Sequence, residues 1–212
     1  ALEAVENGLG LAVLQREQLE GRVRGFSGVD GLHDLPDALH LRRIELRGYR
    51  RVDGLYDIEA HMVDTKTEAL TVGGWRVVAP GEPVHDMSIR LVVDEDLNVM
   101  DILASTDASP YGICSDATST LQCMKGMRIG PGWSKAIREQ LGGRKGCTHL
   151  TELLKPLATV AFQTLWKVRE NQPAAVDSSG KPRKINSCHT YASDREVVQV
   201  RWPMHFDGTP AK

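Results

Sequence analysis

Cysteine, histidine and aspartate supply most of the side chains that bind metals or move protons near neutral pH. In this chain they gather in a few short strings. Cys147 and His149 stand two residues apart in "GGRKGCTHLTELLKPLATVAF", where a glycine pair gives way to a helical apolar pattern. A helix N-terminus carries free backbone N–H groups and a partial positive charge. A thiol placed there is pushed toward thiolate, the form that attacks carbon or binds metal. His149 could stabilise that thiolate or join it as a ligand. The plainer alternative is a small buried cysteine beside a partly exposed first-turn histidine.

Other strings add candidates. His85 lies on the apolar face of "VHDMSIRLVVD", near the start of that strand, and Asp86 points to the opposite face if the strand is regular. A core histidine bonded to backbone is the plain reading of His85; a place where loops gather favours a working one. Asp64, before Lys66 in "VDTK", reads as a carboxylate ligand, a base or a turn cap. Cys114 lies in the loop "ASPYGICSDAT", and Cys188-His189 forms a second Cys/His pair near the C-terminus. Cys123, beside Leu121 and Met124, reads as core. Arg42, Arg43, Arg47, Arg50 and Arg51 form a basic cluster. It suits a substrate carboxylate or phosphate, with Arg43 and Arg47 as the contacts, or else a solvated strand face balanced by acids.

The elements that must position these residues follow from periodicity. "LRRIELRGYRR", the hairpin signal Asp53-Gly54, "LYDIEAHMVDTK", a short strand in "GGWRVVAPGEP", "VHDMSIRLVVD" and "VMDILAST" read as an antiparallel meander. His85, Met87, Ile89, Leu91 and Val93 share one face by period two. From Ser109-Pro110 onward the period is helical: a short helix near 116–126, one in "PGWSKAIREQLGG" stopped by Gly142-Gly143, and a long one from about Thr148 to Asn171. In the long helix Leu150, Leu153, Leu154, Leu157, Ala161, Leu165 and Val168 make the apolar stripe, and Pro156 predicts a kink. "NQPAAVDSSGKPRK" opens a polar loop over 171–186, and Glu196–Trp202 reads as a last strand. Residues 1–36 read as an N-terminal extension, a helix from Leu2 to about Gln18 and then a glycine-rich linker. Strands first and helices after give an α+β domain over 37–212: an antiparallel meander sheet followed by a helical half packed on one face.

With 212 residues, 41% apolar and 25% charged, the chain is long enough to bury a core and ordinary for a globular protein. A net charge of −2 gives no global attraction to nucleic acid or to an anionic membrane, so neither is expected as a partner. No apolar run approaches the roughly 20 residues needed to span a bilayer. The N-terminal residues lack a secretory pattern, and the four scattered cysteines do not read as a disulfide scaffold. A cytoplasmic location with reduced thiols is the expectation. G-x-S-x-G, the P-loop, a Rossmann G-x-G-x-x-G and H-E-x-x-H are all lacking, which argues against the commonest hydrolase, nucleotide-binding, dehydrogenase and zincin classes.

Two resemblances rest on these strings. "HLRRIELRGYRRVDGLYDIEAHMVDTK", "GEPVHDMSIRLVVDEDLNV", "IGPGWSKAIRE", "GGRKGCTHLTEL" and "INSCHTYA…VRWP" resemble a bacterial family described only as a domain of unknown function, over roughly residues 37–203. The resemblance implies no activity. It marks "HDM", "GCTHL" and "CH" as family signatures, and so His85, Asp86, Cys147, His149, Cys188 and His189. More loosely, a meander, a cysteine-bearing loop and a Cys/His at a long helix start look like the NifU/SufE-type fold of iron–sulfur scaffolds. There the matching places hold His85, Cys114 and Gly146–Cys147. Two departures weaken a cluster: histidine stands where the scaffold has cysteine at the strand start, and Gly146 replaces the histidine before the helix cysteine.

The expected function is therefore a small-molecule enzyme of lyase or hydrolase type, acting on an anionic or carbonyl-containing substrate. In one version His85, Cys147 and His149, with Cys114, Cys188 or Asp64, bind zinc or iron. In the other no cofactor is present, Cys147 is the nucleophile and a histidine its base. Asp64 and Asp86 are further acid–base candidates, and His189 joins the arginines as a substrate contact. The alternative is a non-catalytic metal or sulfur carrier related to NifU/SufE-type proteins; a plain binding module, possible as an oligomer, is a third.

Overall fold

The computed structural model describes residues 38–170, 172–173 and 175–208. The expected N-terminal helix and linker lie outside them. Four long strands form one antiparallel sheet in the order β1-β2-β5-β6: β1 His40–Arg50, β2 Tyr56–Lys66, β5 Pro83–Val93 and β6 Val99–Ala108. Between β2 and β5 the chain makes a small hairpin, β3 Leu70–Val72 with β4 Arg76–Val78. Only the second arm of that hairpin is signalled by the sequence. The first is too short for its alternation to stand out.

The sheet is two-faced because each strand alternates. Ile58, Ala60 and Met62 of β2 and Met87, Ile89, Leu91 and Val93 of β5 are buried on one face, in register as Ala60↔Ile89 and Met62↔Met87. The other face carries Glu45, Arg47, Glu59, His61, Ser88 and Arg90, and Arg90 is bonded to Glu59 at 2.7 Å. That face is a charged checkerboard in water, as expected when helices cover one side only.

The covering layer starts with a 3-10 helix, Gly112–Met124, packed on β6. In a 3-10 helix residues three apart eclipse, so Leu121 and Met124 share the inward side and are buried. Cys123 is therefore exposed rather than in the core. Helix α1, Trp133–Leu141, follows. Helix α2, Thr148–Thr164, lies across β1, β2 and β5 and buries Leu150, Leu153, Leu154, Leu157, Ala158 and Ala161. The Trp133 indole N–H donates to the Leu154 carbonyl at 3.0 Å and ties α1 to α2. α2 runs through Pro156 without interruption; the break comes at Leu165, before the four-residue α3, Trp166–Arg169.

Gly48 of β1 faces α2 so closely that a Cβ there would sit 1.8 Å from Thr164 Oγ1. The expected last strand is instead a helix, α4 Glu196–Arg201, with only Val198 buried. Six residues rich in valine fit either period, and with no sheet edge paired to it among the described residues the segment takes the helical one.

Candidate functional site

One row across the sheet brings the chemistry together. In register, Asp64 of β2 faces Arg42 of β1 on one side and His85 of β5 on the other. All three point toward the helical layer, as the same parity as Ile44, Met62 and Met87 requires. The β2–β5 pairing shifts register between Asp64 and Thr65, and the β5–β6 pairing between Asp86 and Met87. Irregularities of this kind re-aim side chains beside working sites.

Asp64 is the buried anchor, with 2% of its side chain exposed. Arg42 grips both carboxylate oxygens, Nε to Oδ1 at 2.7 Å and Nη2 to Oδ2 at 2.7 Å. The His40 ring lies 3.4 Å from Oδ1. Burial alone would raise the Asp64 pKa; the Arg42 hydrogen bonds and charge, with the nearby His40 and His85, outweigh it and hold the carboxyl below its usual value. An ionised carboxylate only accepts, so His85 Nδ1, 3.0 Å from Oδ2, is the donor. That fixes the tautomer of the metal-free ring; an ion shared by Asp64 and His85 would take the place of this proton.

His149, in the first turn of α2, stacks on His85 with ring centroids 3.9 Å apart and planes tilted by 36°. Desolvation first, then the His149 charge, lowers the pKa of His85 despite the pull of Asp64. Desolvation first, then Arg42, lowers that of His149. Both rings are thus held in the neutral form that can bind a metal or take a proton. One ligand atom each from Asp64, His85 and His149 lies within 4.8 Å of the others. Donors on opposite sides of an ion with bonds of about 2.1 Å stand about 4.2 Å apart, so the three atoms would draw in by a few tenths of an ångström to share one ion. Two imidazoles and one carboxylate suit zinc or iron and leave coordination positions open.

Cys147 occupies the N-cap position of α2, as expected, and its Sγ is 3.8 Å from His149 Nδ1. It touches the margin of the cluster rather than its centre. The other expected members stay away from it. Asp86 is on the outer face, 2.7 Å from His61 Nε2. Arg43 and Arg47 also face outward, Arg47 paired with Glu45. They belong to the parity opposite Arg42 and cannot reach the row through the sheet. Cys114 lies in the 3-10 helix and Cys188 is exposed; with His189, which begins a short 3-10 turn, they stand outside the metal-competent group among the described residues.

Sequence reading passed over His40 and left Arg42 undistinguished within the basic cluster. Strand parity was the available signal, since His40, Arg42, Ile44 and Leu46 alternate with Leu41, Arg43, Glu45 and Arg47. It also passed over a cavity of about 430 Å³ that opens beside Asp64 and His85.

Among the described residues no helix is long and apolar enough to cross a membrane. No curated protein and no solved structure matches the chain. The family model described as "Protein of unknown function (DUF2889)" matches residues 40–163. "HDM" and "GCTHL" fall inside that match, and "CH" at 188–189 falls beyond it. The matched span covers more than half of the 212 residues and every member of the Arg42–Asp64–His85–His149 row, so the chain belongs to the DUF2889 family.

Proposed function

We propose that the protein is a metal-dependent enzyme of lyase or hydrolase type, acting on a small anionic or carbonyl-containing molecule. The observation that carries this reading is the convergence of Asp64, His85 and His149 within 4.8 Å, with Asp64 and His85 lining an open cavity. Zinc or iron held by His85 and His149, with Asp64 completing the set, would polarise a substrate oxygen or lower the pKa of a bound water. Arg42 keeps Asp64 ionised and in place, and Cys147 lies beside His149. Bacterial origin, the cytoplasm and a reduced thiol environment suit this reading.

Metal analysis of the purified full chain tests it. The expectation is roughly one equivalent of zinc or iron, lost in His85→Ala and in His149→Ala and retained in Cys147→Ala. A wild-type protein that stays at trace metal after incubation with Zn(II) or anaerobic Fe(II) would overturn it.

One observation favours a second reading. The 3.8 Å approach of Cys147 Sγ to His149 Nδ1 suits a thiolate nucleophile with an imidazole base. A stoichiometric metal and full activity in Cys147→Ala would sink it. The NifU/SufE-like carrier draws less support, since among the described residues only one cysteine sulfur touches the cluster.

A further inference from the structure

The cavity beside the row has an unequal lining. Asp64 and His85 form its polar end. Leu70 and Val84, from the β3–β4 hairpin region and the start of β5, give it an apolar wall, and Tyr111 lines it from the segment after β6. Two cationic or basic side chains stand at its rim, His40 and Lys66, which are cross-strand partners at the end of the β1–β2 ladder.

Arg42 also lines the cavity, but its guanidinium is committed to Asp64 and reaches Glu152 at 3.6 Å. Lys66 is different. No carboxylate among the described residues pairs with it, although it stands beside a buried carboxylate already neutralised by Arg42. A lysine side chain at the mouth of a partly apolar pocket, with no acidic partner among the described residues, is the arrangement that selects an anionic ligand. Lysine presents a point charge rather than a planar fork, and one uncommitted charge matches one negative charge.

We infer that the cavity takes a small organic monocarboxylate with a flat apolar body. The carboxylate meets Lys66, with His40 beside it; the body lies between Leu70, Val84 and Tyr111; and the far end of the molecule is presented to His85 and Asp64. This deepens the enzyme reading and rests on it for the site, but not for the metal. The volume, about 430 Å³, is at the small end of the range for ligand pockets and suits a single substituted ring. The assignment replaces Arg43 and Arg47, on the wrong face, with Lys66 as the residue that reads the anion.

Binding to the full-length protein, followed by isothermal titration and by amide shifts of residues 66–72 and 111–112, tests this with three probes. Benzoate carries both features, benzamide only the ring, and acetate only the charge. The expected order is benzoate first, with benzamide and acetate each weaker by about tenfold or more, the scale of one charge-assisted contact or one buried ring. Lys66→Met keeps the aliphatic stem. It should lower benzoate affinity about tenfold and leave benzamide unchanged. Tyr111→Ala, at a half-exposed side chain, should weaken benzoate and benzamide alike. Equal affinity for benzoate and benzamide in the wild type, or wild-type benzoate binding in Lys66→Met, would overturn the inference. Metal content, measured on the same samples, separates the two ideas: a metal-free protein that still prefers benzoate retains the pocket assignment and loses the metal, and a metallated protein indifferent to the three probes does the reverse.

Discussion

At the scale of residues, the Arg42–Asp64 pair decides whether the site exists. A carboxylate that is 2% exposed is stable as an anion only while paired. Removing Arg42 strands that charge, which for a fully buried pair costs about 3–5 kcal/mol. Arg42 keeps a third of its side chain in water, so about 2–3 kcal/mol is the better expectation. Urea unfolding of Arg42→Met should show that loss. The double variant Arg42→Met/Asp64→Asn should recover part of it, because the orphan charge has gone. An unrecovered double variant would mean that packing, not charge, is what Arg42 supplies. Much of this was within reach of the sequence. His85 on the buried face, Cys147 at a helix cap and the candidacy of Asp64 were all legible by parity and helix-start signals. The selection of Arg42 from five arginines was not made, because a dense basic cluster hides the alternation that divides it between two faces.

At the scale of elements, helix α2 sets the third donor, and its seat on the sheet depends on a missing side chain. With a Cβ at Gly48 placed 1.8 Å from Thr164 Oγ1, Gly48→Ala must push α2 off β1 or distort both. Overpacking of this kind costs about 1–3 kcal/mol, and the thermal midpoint should fall accordingly. Thr164→Gly in the same chain should restore most of it. The meander, its faces and the apolar stripe of α2 were readable because each is a long, regular repeat. What was missed is short. β3 has three residues, and the valine-rich segment at 196–201 carries a pattern that serves strand and helix equally, so neighbours decide it. The exposure of Cys123 followed from a 3-10 period that composition does not announce.

At the scale of the whole molecule, the lowered pKa values of His85 and His149 make stability depend on pH. Unfolded imidazoles titrate at their ordinary value of 6.5, and burial pushes both folded values below it. Between the folded and unfolded values the unfolded chain binds more protons, so this part of the stability is fully present above 6.5 and is lost as pH falls through the folded values. The urea midpoint of metal-free protein should drop from about pH 7 to about pH 5. In His85→Gln/His149→Gln that slope should flatten. An unchanged slope would place the titration elsewhere. The same three donors also have a history along the chain. Asp64 and His85 meet as soon as β2 and β5 pair, but His149 lies in the helical half and arrives only when α2 docks across the strands. A chain with its sheet formed and its helix loose holds two donors, and only the completed fold holds three. Because that last contact closes a long loop, it belongs among the slow, non-local steps of folding. A metal ion that needed all three donors would therefore bind only once α2 is in place on the sheet.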